Sequence, residues 1–245
     1  LDYPASTGAL ALYELSGDAT STSSATYDGA DTDVAWVPLY DGADTGVTYA
    51  TPSVSAAFLK AADFNGTTSK VDITSPLGTS ASNENDNFSV SLWVNWDVIT
   101  GTPGDFNGAM IGNNTGSSYG SFALYSYGNA SGISVAFERY FNGSGNYSSG
   151  YITAAPFAGV IDTWYHLVFT YVGSTKTVTT YVDGAALPAY TLDVNVGPRT
   201  MNALNSFGQY NGSTLGFNGS MDQVRMFNRV IDAGEVTQLY NEPNN

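Results

Sequence analysis

Residues 88–96, Phe88-Ser89-Val90-Ser91-Leu92-Trp93-Val94-Asn95-Trp96, alternate almost without exception between large apolar and small or polar side chains. A period of two is the period of a β-strand; the 3.6-residue period of a helix would scatter these residues around its circumference. Phe88, Val90, Leu92, Val94 and Trp96 therefore share one face, and Ser89, Ser91, Trp93 and Asn95 share the other. A strand with one fully dry face needs hydrogen-bonding neighbours at both edges and a second layer over that face. The chain must build at least one sheet and something to cover it.

The same logic finds further strands. Residues 164–172, Trp164-Tyr165-His166-Leu167-Val168-Phe169-Thr170-Tyr171-Val172, form a second long one. It turns at Gly173-Ser174 and returns through residues 176–182 to Asp183-Gly184, a tight-turn pair. Residues 10–15, 70–73, 122–127, 133–137, 200–207 and 221–227 complete the main strand candidates. Strands at this spacing, separated by Gly, Asn, Asp and Ser, predict an all-β sandwich or jelly roll. Only the end reads as helical: Asp232-Ala233-Gly234-Glu235 fits a capping box, with Val236, Leu239 and Tyr240 on one helical face. Residues 27–36 are echoed by residues 40–49, too short a repeat for a solenoid and simplest as a duplicated strand and turn. The Gly/Ser-rich stretches are short and bracketed by strands, so residues 1–245 read as one domain. Leu1-Asp2-Tyr3-Pro4 lacks the features of a signal peptide and looks like the middle of a longer chain.

Charge narrows the partners. The formal net charge is −15, from 22 acids against 7 bases, a surface that repels phosphate backbones and argues against nucleic acid. Of the acids 17 are Asp and 5 are Glu; Asp is the turn-former and the ligand of hard cations. With no cysteine, disulfides, thiolate metal sites and a catalytic thiol are excluded. No apolar run approaches the ~20 residues of a membrane-spanning helix, so membrane insertion is not expected.

Three segments in order resemble the laminin G-like jelly-roll family, within the concanavalin A-like lectin/glucanase superfamily. The first is Ala61-Ala62-Asp63-Phe64-Asn65-Gly66 leading to Lys70-Val71-Asp72-Ile73 and then to residues 88–94. The second is Trp164-Tyr165-His166-Leu167-Val168 running on to Tyr181-Val182-Asp183-Gly184. The third is Phe217-Asn218-Gly219-Ser220-Met221-Asp222-Gln223-Val224-Arg225-Met226-Phe227-Asn228-Arg229 and the helix that follows. The resemblance implies a two-sheet antiparallel β-sandwich, a concanavalin A-like jelly roll of about twelve or more strands, with a short C-terminal helix. Domains like this occur in bacterial surface proteins, in accessory modules of polysaccharide-degrading enzymes and in phage tail fibres, which implies an extracellular or cell- or virion-surface location.

The resemblance also implies a structural calcium ion held between the N-terminal Asp-containing turn and the Asp of the Phe217-x-Gly219-x-x-Asp222 segment, that is, at Asp18 and Asp222, with Asp33 and Asp31 as further ligands. Ca²⁺ takes six to eight oxygens, which carboxylates and loop carbonyls supply. Many relatives carry another Asp shortly after the position of Asp18, where this chain has Thr20-Ser21-Thr22. Sugar binding needs an aromatic platform with amide and charged hydrogen-bond partners at a loop rim. Tyr119, Arg139, Tyr140, Tyr147, Tyr210 and Asn211 offer that chemistry, with a glycan or polysaccharide as partner. His166 reads as structural, held by a neighbouring strand. Two carboxylates about 5 Å apart would be needed for a retaining glycosidase, but Glu14, Glu84, Glu138, Glu235 and Glu242 are far apart in sequence. The expectation is a non-enzymatic carbohydrate-binding or adhesion module; the alternative is a structural or protein-interaction domain of a tail fibre, virion surface or filament, in a homo-oligomer or larger assembly.

Overall fold

A computed structural model of the chain describes residues 9–13, 43–50, 61–72, 86–99, 106–112, 122–129, 132–143, 146–153, 157, 159–191, 206–209 and 216–242. In chain order the strands begin with β1 (Ala9–Tyr13), β2 (Ala43–Thr45), β3 (Thr48–Ala50), β4 (Ala61–Asn65), β5 (Lys70–Asp72) and β6 (Phe88–Trp96). There follow β7 (Phe106–Gly112), β8 (Phe122–Asn129), β9 (Gly132–Gly143), β10 (Asn146–Thr153), β11 (Trp164–Val172) and β12 (Thr177–Val182). The short β13 (Ala185–Ala186), β14 (Tyr190–Thr191) and β15 (Ser206–Phe207) lead to β16 (Asn218–Phe227) and the helix α1 (Ala233–Asn241).

These strands make two antiparallel sheets. The first runs β13-β12-β11-β6-β16-β4-β3, with β14 also beside β12 and β1 beside β16; the second runs β10-β9-β8-β7-β15-β5-β2. The all-β sandwich with a short C-terminal helix expected from the strand pattern is the observed architecture. The alternating segment, β6, lies in the middle of the first sheet between β11 and β16. Its Phe88, Val90, Leu92, Val94 and Trp96 face the second sheet and form the centre of the core with Phe169, Tyr171, Met221 and Met226, against Met110, Ile111, Leu124 and Phe207. Trp96 is fully buried, and its indole N–H donates to Ser126 Oγ on β8 at 3.0 Å, a hydrogen bond from one sheet to the other. That contact satisfies the one polar atom of a large apolar side chain.

The opposite face of β6 is buried as well. Ser89, Ser91 and Trp93 are all under 7% exposed, because α1 lies over this side of the first sheet. Val236 and Leu239 of the helix pack with Val168, Phe227 and Ile231 into a second apolar cluster. The capping box is present as read: Asp232 Oδ1 accepts from Glu235 N–H, and Glu235 Oε2 accepts from Asp232 N–H. Arg229 donates to both Glu235 carboxylate oxygens, at 2.8 and 2.6 Å, raising the guanidinium and lowering the carboxyl from their ordinary values. Ser89 Oγ donates to Arg229 O and accepts from Ile231 N–H, tying the helix entry to the start of β6.

Several boundaries differ from the sequence reading. The strand predicted over residues 133–137 extends to Gly132–Gly143, since hairpin pairing with β10 carries it past the apolar stretch. Of the strand predicted over 200–207 only Ser206–Phe207 lies within the described residues. The second copy of the repeat does not give one strand and a turn. It spans β2 and the start of β3, which belong to opposite sheets, with Gly46 at φ +62° between them. Asp183-Gly184 turns as expected, both residues at positive φ (+50° and +79°).

Gly219 marks the tightest approach in the first sheet. It has φ +144° and lies opposite Trp96, where an added Cβ would collide with the Asn95 carbonyl oxygen. Gly219→Ala is expected to cost roughly 2–4 kcal/mol through backbone strain, lowering the midpoint of guanidinium unfolding with little change in its slope.

Candidate functional site

Asp222 occupies a break in the strand pairing. The N-terminal half of β16 pairs with β4, ending at Met221↔Ala62, and the C-terminal half pairs with β1, beginning at Val224↔Tyr13. Asp222 and Gln223 lie at the switch between those two neighbours, where the β16–β6 register also shifts. Gln223 takes φ +49°, and its N–H donates to Asp222 Oδ1 at 2.7 Å. Such a bulge re-aims side chains at a strand's edge. Asp222 is fully buried there. Of the four carboxylates expected to hold calcium it is the one within the described residues; Asp18, Asp31 and Asp33 lie outside them. Among the described residues no group of three His, Cys, Asp or Glu side chains is assembled to hold a metal ion. Asp222 supplies a carboxylate oxygen of the kind hard cations take.

A polar cluster lies beside it, under the helix. Asp222, Trp93 and His166 are register partners in one row across β16, β6 and β11. His166 is fully buried; its Nε2 is hydrogen-bonded to Ser91 Oγ at 2.9 Å, and its backbone N–H donates to Asp183 Oδ1. Its ring packs on Trp93, and Tyr240 of α1 stacks over Trp93 at 5.8 Å. Arg225 Nη2 donates to Gln223 Oε1 and lies 2.8 Å from Glu242 Oε2, both charged side chains nearly inaccessible. Burial raises the Glu242 carboxyl against the opposing pull of Arg225. The His166 ring is held by the neighbouring strand β6, as its sequence position suggested.

The sugar-binding candidates fall elsewhere. Arg139 and Tyr140 lie within β9 and Tyr147 within β10, not at a loop rim as their Gly/Asn-rich surroundings suggested. Long hairpin pairing, in which Gly143 partners Asn146, draws these residues into the second sheet. Register sorts them into two sets. Tyr147 partners Asn142 and Ser149 partners Tyr140, so Tyr140, Asn142 and Tyr147 belong to one face together with Glu138 and its partner Tyr151. Arg139, one residue out of phase, belongs to the other, with Phe137 and its partner Leu124, a core residue. The tyrosine set thus shares the register parity of Ala136, the strand partner of Tyr125. Tyr119, Tyr210 and Asn211 lie outside the described residues. Strands β7 to β10 carry one carboxylate, Glu138.

One acidic grouping escaped the sequence reading because its members are far apart in the chain. Asp97, at the end of β6, has its carboxyl raised by partial burial and then by the charges of Asp63 and Asp162. Asp63 accepts from Thr48 Oγ1 and from Ser220 Oγ.

With this geometry in view, a laminin G-like model of the concanavalin A-like lectin/glucanases superfamily matches residues 65–237. No curated protein sequence matches the chain. Among solved structures, domain 4 of AbnA, an extracellular GH43 arabinanase from Geobacillus stearothermophilus, in complex with arabinotriose, is 22% identical, with TM-score 0.54 over 82% of this chain and 88% of that one. A botulinum neurotoxin type C structure, described with an interaction with two ganglioside molecules, is 15% identical, with TM-score 0.56 over 84% of this chain and 47% of that one. A Trypanosoma rangeli sialidase in complex with the inhibitor DANA is 13% identical, with TM-score 0.53 over 83% and 30%. These likenesses establish the fold.

The Arg225–Glu242 pair gives a test of how the helix is held. Arg225→Met leaves a buried carboxylate without its cation and is expected to cost about 3–5 kcal/mol, while Arg225→Met with Glu242→Leu restores most of the loss. Thermal and chemical unfolding of the three proteins measures both effects.

Proposed function

We propose, for a chain that belongs to the concanavalin A-like lectin/glucanases superfamily, a non-catalytic carbohydrate-binding and adhesion role in an extracellular bacterial or phage protein. The observation that carries the reading is that Tyr140, Asn142, Tyr147 and Tyr151 occupy register positions of one parity in the β9–β10 hairpin. Tyrosine rings pack on the apolar faces of sugars while amides and hydroxyls hydrogen-bond to their rims. The arabinotriose-bound arabinanase domain and the ganglioside-interacting toxin, of the same fold, support glycan as the partner class. The non-catalytic part of the reading draws on the single carboxylate in β7 to β10, since glycoside hydrolysis uses a flanking pair.

Calcium fits this picture as a structural ion at Asp222, completed by Asp18 and by Asp33. It would supply a compact divalent charge that neutralises a buried carboxylate and joins the segment after β1 to the switch point of β16. The residues do the rest: Gln223 orients Asp222 through its N–H, and the β1–β16 pairing brings the chain to Tyr13, beside Val224.

A second reading, a structural or protein-interaction domain, is favoured by the exposed Val98, Val160 and Ile161. Their loops are joined by the Asp162 N–H hydrogen bond to Trp96 O. A stable homo-oligomer that binds no glycan would decide for it.

Glycan-array binding with and without chelator tests the leading reading. Tyr140→Ala and Tyr147→Ala should each weaken binding about tenfold, roughly 1.4 kcal/mol, while Arg139→Ala, on the other face, should change it less than about twofold. Calcium at about a hundred times its Kd should stabilise the wild type by about 2.7 kcal/mol, seen as a rise in Tm that EDTA reverses. Asp222→Asn should abolish that calcium-dependent rise.

A further inference from the structure

We propose that α1 is a proton-sensitive latch: it stays docked on the first sheet while His166 is neutral and lets go when that imidazole takes a proton. The argument starts from the groups facing the ring. From β6 come Ser91, hydrogen-bonded to Nε2, and Trp93, 5.0 Å between ring centroids. From the turn after β12 comes the Asp183 carboxylate, committed to the His166 backbone N–H. From β16 come Arg225 and, across Trp93 in the same row, Asp222. From α1 comes Tyr240, its ring 6.1 Å from the imidazole, and from the residue that caps the helix C-terminus, Glu242, paired with Arg225.

This box suits a neutral ring. Among the described residues Nδ1 of His166 has no hydrogen-bond partner, and the same is true of Trp93 Nε1, Arg225 Nη1 and Glu242 Oε1, all buried. A second proton on the ring would place an N–H where no described acceptor meets it, beside a guanidinium that already claims the nearby carboxylate. Burial, with Arg225 second, pushes the His166 pKa down to about 3. The sign follows from that depression. The docked form resists the proton that the released form accepts at the ordinary value near 6.5, so docking is fully favoured above about pH 6.5 and weakens as pH falls toward 3. Glu242, raised by burial, acts in the opposite sense by holding its proton more tightly when docked.

Release of the helix is the smallest motion that gives the ring water. The sheet side of the box is made of β6, β11 and β16, the middle of the first sheet, whereas α1 is a nine-residue element held by Val236, Leu239, Tyr240 and two ion pairs. Its opening would expose Trp93, Val168 and Phe227, an apolar surface beside the Asp222 switch point.

Hydrogen exchange of the full chain, corrected for intrinsic rates, tests this at pH 7 and pH 5. The opening constant of α1 should rise between them by up to about twentyfold, the effect of His166 alone less what Glu242 offsets, while β6 and β11 keep their protection. His166→Gln, which keeps a polar partner for Ser91 but cannot titrate, should flatten the response. Because the chain has one histidine, its imidazole NMR signal reads the titration directly in the wild type, even if the variant fails to fold. A His166 pKa near 6.5 in the docked protein overturns the proposal. So does an equal rise in exchange in His166→Gln, or loss of strand protection together with the helix.

Discussion

Burying the nine residues of β6 on both faces creates two separate demands, and the remaining architecture answers them differently. The inner face is continuous apolar surface and needs only a complementary surface, which the second sheet supplies. The outer face carries Ser89, Ser91, Trp93 and Asn95 and cannot be covered by an apolar layer without leaving hydrogen-bonding atoms stranded. It is answered piecewise. Ser89 ties the chain into the helix, Ser91 meets His166, Trp93 lies under Tyr240, and the far end near Asn95 is left closer to solvent. The fold is therefore a sandwich with an apolar interior and a polar underside beneath its only described helix.

That polar underside explains why so many charged and titratable side chains are buried in a chain that has few. Arg225, Glu242, His166 and Asp222 lie within one sector of the first sheet. Each is energetically unfavourable to bury alone; Arg225 and Glu242 meet this by pairing, His166 by a lowered and Glu242 by a raised proton affinity, and Asp222 accepts from the Gln223 N–H. The break in β16 pairing at Asp222 and Gln223 belongs to the same sector. There the strand changes neighbours, from β4 to β1, and the Gln223 N–H turns to the Asp222 side chain.

The two regions with functional prospects are thus physically distinct. The Asp222 sector is deep, charged and rigidly framed by central strands, properties suited to holding the scaffold. The β9–β10 hairpin lies at the margin of the second sheet, away from that charged sector, with its tyrosines at matching register positions. Separation lets ligand contacts vary without disturbing what holds the sheets together, the usual division between scaffold and site in such folds.

Alternation alone determined a great deal about this protein. The period of two in residues 88–96 and 164–172, the turn pairs and the Asp232/Glu235 capping box lead directly to the sandwich and its terminal helix, because local backbone geometry and side-chain periodicity are properties of neighbouring residues. That a neighbouring strand holds His166 was legible for the same reason. The tertiary structure decided what depends on residues distant in the chain. That Arg139 and Tyr140 part company follows from strand register, which no loop-like composition reveals. That Glu242 reaches Arg225, or that Asp63, Asp97 and Asp162 share a field, follows from which strands are neighbours. The outer face of β6 was read simply as the second face of a strand. Only the position of α1 over it turned that face into a buried polar chamber, since burial is set by what lies above a residue and not by its place in the sequence.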